Sequence, residues 1–256
     1  MGDAIEKIVA SDRLLVALDF DGTVSPLHDE PMEARMLPAA RTAVEALVNA
    51  PDTVVAFVSG RSLVDLRVIA EHGDDSPIFL AGSHGAEFWT PGEGRSSHDE
   101  EEADAALRDS LREHAERATA HLQGVWIEPK TFGLGVHTRK ASPEAAEEAN
   151  RLVDALVAEE APHWRRRTGH NIVEFAFRHE GKDSAIAELR LRTRANAVLF
   201  AGDDVTDEDA LGSLGPSDLG VRVGDAPTAA TLRVPDIEAL ATLLADLAAA
   251  RVRARE

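Results

Sequence analysis

The chain has no cysteine, so disulfide staples and thiolate metal sites are both excluded. No apolar run approaches the roughly 20 residues of a membrane-spanning helix. The opening stretch MGDAIEKIVASD lacks the cationic and apolar segments of a secretory signal. Together these absences point to a cytoplasmic protein with no membrane partner. Positive charge is also in short supply: 27 Lys and Arg face 46 Asp and Glu, a formal net charge of −19. Such a surface repels nucleic acid and anionic lipid, so no nucleic-acid partner is expected. A phosphate binder built this way needs a locally basic pocket inside an acidic shell.

What remains is a globular composition, 44% apolar and 29% charged over 256 residues, enough for one large domain or two modest ones. The stretch VALDFDGTVSP, residues 16–26, runs an apolar strand straight into Asp19 and Asp21. A polar turn accounts for one Asp-Gly pair, because both residues tolerate turn conformations. It does not account for two aspartates that an extended backbone points to the same side.

The first part of the chain alternates strands and helices. Leu14–Leu18 reads as a strand, and Ala40, Ala43, Val44, Leu47 and Val48 follow helical spacing after Pro38. Thr53–Val58 is β-branched and leads into Ser59-Gly60-Arg61, and a helix opens at Ser62 with Asp65 three residues on. Ile78–Ala81 is a further short strand. The pattern predicts an α/β fold with a parallel sheet flanked by helices. It breaks at PGEGRSSHDEEE, residues 91–102, a Gly/Ser/acid-rich stretch read as a linker. Beyond it come a helix with Ala103, Leu107, Leu111, Ala118 and Leu122 on one face, and strands at Val125–Glu128 and Leu134–His137. A helix from Ser142-Pro143 follows, then strands Trp164–Thr168 and Ile172–Phe177 joined by a Gly-His-Asn turn. Helix-strand-strand twice over predicts an α+β insertion, αββαββ, with an antiparallel sheet. After Gly181 the first style returns: a helix near Ser184–Leu191, strand Ala197–Ala201, a short helix from Asp207, strand Leu219–Val223 and a final helix from Asp236. The organisation read from this is a core over 1–93 and 180–256, interrupted by a cap over 94–179.

Three polar clusters fall at the carboxyl ends of three predicted core strands: Asp19 to Thr23, Ser59 to Arg61, and Gly202 to Glu208. Ligands of open α/β sheets bind at that edge. Carboxylates so close repel one another unless a cation sits among them, and an oxygen-only donor set selects a hard ion, Mg²⁺ first. A carboxylate also serves as a covalent nucleophile toward phosphorus. A lysine would complete the charge balance, and Lys182 stands where the core resumes. A lone lysine is ordinarily a solvated surface residue; only its position singles this one out.

In this order, the clusters resemble the haloacid dehalogenase (HAD) superfamily of phosphatases, with the cap between the second and third motifs. AGSHGAE (81–87), EPKTFGLGVHTR (128–139), HNIVEF (170–175) and AGDDVTDEDAL (201–211) are similar to stretches of the trehalose-6-phosphate phosphatase family. The resemblance implies a Rossmann-like HAD core with an inserted cap and Mg²⁺-dependent hydrolysis of a small-molecule sugar phosphate, with coupling to a trehalose-6-phosphate synthase. It implies that Asp19 attacks phosphorus and that Asp21 is the general acid and then the base. Mg²⁺ would be held by Asp19, the Asp21 backbone carbonyl and Asp203, with Asp204 and Asp207 orienting waters and the lysine. Ser59, Gly60, Arg61 and Lys182 would grip the phosphoryl group, and Glu128, Lys130 and Glu174 would bind sugar hydroxyls. His84 and Glu87 lie in a matching stretch without an assigned role.

The third motif departs from the family pattern: FRHEGKDSA (177–185) puts Asp183 after the lysine and His179 where an Arg-Pro is usual. Leu211 replaces a bulkier residue, a change expected to affect packing. Arg165-Arg166-Arg167 suggests a phosphate clamp, but on a strand the middle residue faces away, so a solvated face is expected. Two other readings stand beside the first: the same chemistry on another sugar phosphate, and an inactive sugar-phosphate-binding partner. The second requires loss of Asp19, Asp21, Lys182 or Asp203, and all four are present.

Overall fold

The computed structural model describes residues 2–97, 102–169 and 171–256. The chain divides into two units, Met1–Ser97 with Glu180–Glu256, and His98–His179. The first unit begins with α1 (Gly2–Ala10), β1 (Leu14–Leu18), α2 (Pro38–Val48), β2 (Thr53–Val58), α3 (Leu63–Ile69), β3 (Phe79–Gly82), β4 (Glu87–Thr90) and β5 (Gly94–Ser97). The second holds α4 (Glu102–Thr119), β6 (Trp126–Lys130), β7 (Gly133–His137), α5 (Pro143–Glu160), β8 (Arg165–Gly169) and β9 (Ile172–Ala176). The first resumes with α6 (Lys182–Thr193), β10 (Ala197–Gly202), α7 (Glu208–Ser213), β11 (Leu219–Val223), β12 (Leu232–Val234) and α8 (Ile237–Arg253).

The strands of the first unit form one sheet in the order β12-β11-β10-β1-β2-β3-β4-β5. It is parallel from β12 to β3 and antiparallel beyond. Leu14 to Leu18 are all fully buried. Helices cover both faces there, so the strand reads as a continuous apolar run rather than an alternating one. Leu14, Val16 and Leu18 join Val44 and Leu47 of α2 and Leu240, Leu244 and Leu247 of α8 in one core cluster. Leu15 and Ala17 join Ala185, Ile186 and Leu189 of α6, with Ala210 and Leu211 of α7, in the other. Leu211 is thus a packing residue.

The stretch read as a linker is partly a hairpin. Gly92 and Gly94 sit at φ of 79° and 84°, a backbone that favours glycine, and turn the chain so that β5 pairs with β4. Residues 94–97, expected in the insertion, therefore belong to the first unit; 98–101 lie outside the described residues, as does His170 of the predicted Gly-His-Asn turn. Helix α6 opens at Lys182, two residues before the predicted start, because the Gly181 N–H is capped by Ser184 Oγ at 2.9 Å. α1, β4 and β12 carry no element in the sequence reading.

In the second unit the antiparallel order is β6-β7-β9-β8. Leu134, Val136, Val173 and Phe175 are buried on one face, as are Leu111 and Ala115 of α4 and Ala149, Val153 and Val157 of α5. Alternation and register place Trp126, Glu128, Lys130, Gly135, His137, Arg167 and Glu174 on the other face.

Candidate active site

β1 ends in a hydrogen bond from Asp19 N–H to Ala201 O at 2.9 Å, which keeps the aspartate in register with β10. The next side chain, Phe20, turns into the core edge-on to Phe57, with ring centroids 5.4 Å apart. Asp19 before it is buried, and Asp21 after it is partly exposed. Phe20 O then accepts from Val24 and Ser25 N–H, both at 3.0 Å, folding residues 21–25 into a tight loop. Gly22 takes a φ of 80° in that loop, and a Cβ there would run into the Asp203 carboxylate.

Lys182 brings the first and last clusters together. Its Nζ lies 2.6 Å from Asp19 Oδ1 and 2.6 Å from Asp207 Oδ1, and all three side chains are buried. Thr23 Oγ1 is within reach of Asp19 Oδ2 at 3.3 Å and Asp203 Oδ1 at 3.2 Å. Asp207 Oδ2 accepts from the N–H groups of Asp203 and Asp204, at 3.0 and 2.9 Å. Asp207 is thus spent on fixing the lysine and the strand end, whereas Asp203 keeps its carboxylate beside Asp19.

Charge is unbalanced here. Burial pushes the Asp19 carboxyl well above its ordinary range; Lys182 opposes this, and Asp207 and Asp203 add to it. Burial and Asp207 likewise push Asp203 up to about 6. Lys182 is pushed upward, because Asp19 and Asp207 outweigh its burial. One ammonium therefore faces three carboxylates whose oxygens lie within 4.8 Å of one another. An all-oxygen, electron-rich cluster of this kind suits a hard divalent cation. The residues present fit the metal.

The middle cluster sits at the end of β2. Ser59 Oγ accepts from Arg61 N–H at 3.1 Å, and the Arg61 guanidinium grips both oxygens of Asp21, at 2.6 and 2.7 Å. Arg61, expected on the phosphoryl group, thus stands on Asp21. The turn is clamped from behind by Ser83 N–H to Arg61 O at 2.6 Å and His84 N–H to Ser59 O at 3.0 Å. A Cβ on Gly60 would lie 2.6 Å from His84 Nε2, so only glycine fits there. Ser83, His84 and Gly85 have φ of 50°, 58° and 103°, a costly run for the first two residues. Buried Glu87 secures it, accepting from Ser83 Oγ at 2.7 Å, Leu63 N–H at 3.1 Å and Arg95 at 2.9 Å. The AGSHGAE stretch marked this loop, but nothing local in sequence linked Glu87 to Leu63. Arg222 is a second residue the sequence reading did not single out; it is buried and donates to Asp204 O at 2.9 Å and Glu208 Oε1 at 3.1 Å.

Among the described residues, Asp183 Oδ1 is buried without a hydrogen-bond partner. The residue lines a surface groove with Arg190, Leu191, Leu214 and Asp218.

In the second unit, Lys130 Nζ lies 2.9 Å from Glu128 Oε2 and 3.2 Å from Glu174 Oε1. His137 Nε2 lies 2.6 Å from the same Glu128 oxygen. Burial alone would raise Glu128, but His137 and Lys130 hold it down at about 2. Burial would lower Lys130, but Glu174 and Glu128 push it up to about 12. The expected trio is therefore one charged cluster. Arg166 points to the helix side and pairs with Asp154 at 2.6 Å; Arg165 and Arg167 share the face of Glu174 and are half-buried rather than fully solvated.

A sequence model of the family described as "Trehalose-phosphatase" matches residues 17–236. A trehalose-phosphate phosphatase of Mycobacterium marinum is 32% identical over 247 residues, covering 89% of this chain and 61% of that protein. An uncharacterized glycosyl hydrolase of Mycobacterium tuberculosis is 31% identical over 248 residues, 90% of this chain but 18% of the relative. The chain thus spans less than two thirds of the length of either. The solved C-terminal domain of Candida albicans trehalose-6-phosphate phosphatase superposes with a TM-score of 0.83 at 20% identity, covering 96% of this chain and 95% of that one. At that identity the likeness speaks for the fold alone, an α/β unit with a mostly parallel sheet and a second unit with an antiparallel one.

Proposed function

Because the chain belongs to the trehalose-phosphatase family, we propose that it hydrolyses trehalose 6-phosphate to trehalose and phosphate through an aspartyl-phosphate on Asp19. The observation that carries this reading is Lys182 Nζ held 2.6 Å from Asp19, with Asp19 and Asp203 both in reach of Thr23 Oγ1.

An Asp19 carboxylate oxygen attacks phosphorus, the bond from phosphorus to the sugar oxygen breaks, and Asp21 delivers a proton to that oxygen. Water then attacks the phosphorus of the aspartyl-phosphate, Asp21 takes its proton, and phosphate leaves with Asp19 restored. Lys182, Ser59, the Gly60 backbone and Arg61 hold the transferring oxygens. Arg61 must first release Asp21, and the incoming phosphoryl dianion is the partner that competes for its guanidinium. Asp19, Asp203 and the Asp21 carbonyl would hold Mg²⁺. Once bound, the ion would offset the repulsion between a carboxylate and a phosphate dianion, roughly 9 kcal/mol at about 3.5 Å and an effective dielectric of ~20. Glu128, Lys130 and Glu174 bind sugar hydroxyls and choose the substrate.

We place the protein in the cytoplasm, working with a trehalose-6-phosphate synthase. Among the described residues no helix is long and apolar enough to cross a membrane. A phosphate-release screen over sugar phosphates, with and without Mg²⁺, tests the reading. Preference for trehalose 6-phosphate supports it, and turnover of a different sugar phosphate alone replaces the substrate.

A further inference from the structure

The second unit's sheet carries a residue that the proposed chemistry does not use. His137 sits on β7 directly opposite Trp126 of β6. The two rings stack with centroids 4.4 Å apart and planes 1° apart, which fixes the imidazole plane. Its Nε2 then meets Glu128 Oε2 at 2.6 Å, and Lys130 meets the same oxygen at 2.9 Å. Both bonds fall on Oε2. Among the described residues no partner meets Oε1. No β7 side chain stands between Glu128 and Glu174, because the residue opposite both in register is Gly135, and the Lys130 side chain and Ile172 Cδ1 close over it instead. A Cβ there would stand 3.3 Å from Lys130 Cε and 3.5 Å from Glu128 Oε2, crowding the face the two carboxylates share.

We propose that His137 is a positioning residue for sugar recognition: backed by Trp126, it locks Glu128 through Oε2 so that Oε1 is presented to a hydroxyl of the sugar. This rests on the reading that Glu128 binds the sugar. It assigns Glu128 two jobs, one oxygen each, and makes His137 act only through that side chain. A half-buried ion pair with Lys130 alone would leave the carboxylate free to swing about its terminal torsion. The second donor removes that freedom before the ligand arrives, which is where preorganised affinity comes from.

The test is a double-mutant cycle on purified full chain, read as kcat/KM for trehalose 6-phosphate divided by that for a small aryl phosphate. His137→Ala should lower this ratio about tenfold, mainly through KM, and His137→Gln should recover part of it, since the Gln amide can reach the same oxygen. In a Glu128→Ala background His137→Ala should change the ratio less than about twofold. Additive losses would overturn the proposal, as would a His137→Ala loss shared equally by both substrates. Should the wild-type chain fail to turn over trehalose 6-phosphate, the proposed function falls, and a second measurement still decides this one. The Glu128 carboxyl, followed by ¹³C NMR, should titrate higher in His137→Ala and less so in His137→Gln. Its other charged neighbours, Lys130 and, through it, Glu174 with Arg167 opposite, are unchanged in both variants. An unmoved titration would show that His137 does not hold Glu128.

Discussion

Replacing Lys182 by methionine is the sharpest perturbation of the core, because the ammonium is buried and bonded at 2.6 Å to both Asp19 and Asp207. Methionine keeps the length and the packing but leaves two buried carboxylates facing each other with Asp203 nearby. Removing one partner from a buried charge cluster costs about 3–5 kcal/mol. For a chain of this size that corresponds to a fall of roughly 10 °C in Tm. The cost comes from unpaired anions, so it should depend on pH in a defined direction. Burial, Asp207 and Asp203 already hold the Asp19 carboxyl above its ordinary value in the folded chain, and Asp203 sits at about 6. The folded state therefore takes up protons more readily than the unfolded one. The penalty should be largest near pH 7–8 and shrink as pH falls through 6 towards 5. Lys182 itself is raised, so its stabilisation of the wild type is complete below the ordinary lysine value and lost only in strong alkali. Thermal melts of both proteins in EDTA, from pH 5 to 8, measure this. A variant as stable as wild type at pH 7.5, or a penalty that grows on acidification, would refute the argument.

Asp19→Asn should abolish phosphate release while leaving the melting curve cooperative, because an amide cannot form the phosphoenzyme; near-wild-type turnover would exclude covalent catalysis at this residue. EDTA should remove activity and Mg²⁺ should restore it better than Ca²⁺, whose longer, more numerous bonds loosen the geometry; full activity in metal-free buffer would rule out the metal. Glu87→Ala should cost about 2–3 kcal/mol by orphaning Leu63 N–H and Ser83 Oγ. It should also reduce kcat through the loosened Ser59–Arg61 turn, and unchanged kinetics in the folded variant would confine Glu87 to the scaffold.

Much of the core was legible because its chemistry is local. β1 runs over Leu14–Leu18 as read and leads into Asp19, and the Ser62 cap of α3 shows as predicted, accepting from Asp65 N–H at 3.1 Å. The residues that escaped are those whose partners lie far along the chain. Glu87 reaches back 24 residues to Leu63. Arg251, fully buried, donates to Ser11 O and Asp52 O at 2.6 and 2.7 Å, more than a hundred residues away. Over 91–97 the linker reading missed a hairpin, because Gly92 and Gly94 look the same in a flexible tether and in a tight turn; the β4–β5 ladder and the Arg95–Glu87 pair show the turn. Arg61 shows the same limit: its motif marks it as a phosphate ligand, whereas the folded chain, without phosphate, gives it to Asp21.

That last pairing bears on how the site is kept ready. Asp19 and Asp21 are neighbours in sequence but are held by different cations from different segments, Lys182 at the start of α6 and Arg61 at the end of β2. The two cations differ in exposure in the direction their proposed tasks require. Lys182 is buried and bonded to the two buried carboxylates of Asp19 and Asp207. Arg61 and Asp21 are partly exposed, with side chains 17% and 25% accessible, so their ion pair is worth less and can be exchanged for a phosphate. On the proposed mechanism the nucleophile would thus be held by a buried ion pair, and the acid by a partly exposed one that an arriving dianion could displace. Asp183, adjacent to Lys182 in sequence, points about 100° away from it around the helix; the residue borders the groove with Arg190 and Asp218, and its Oδ1 is buried without a hydrogen-bond partner.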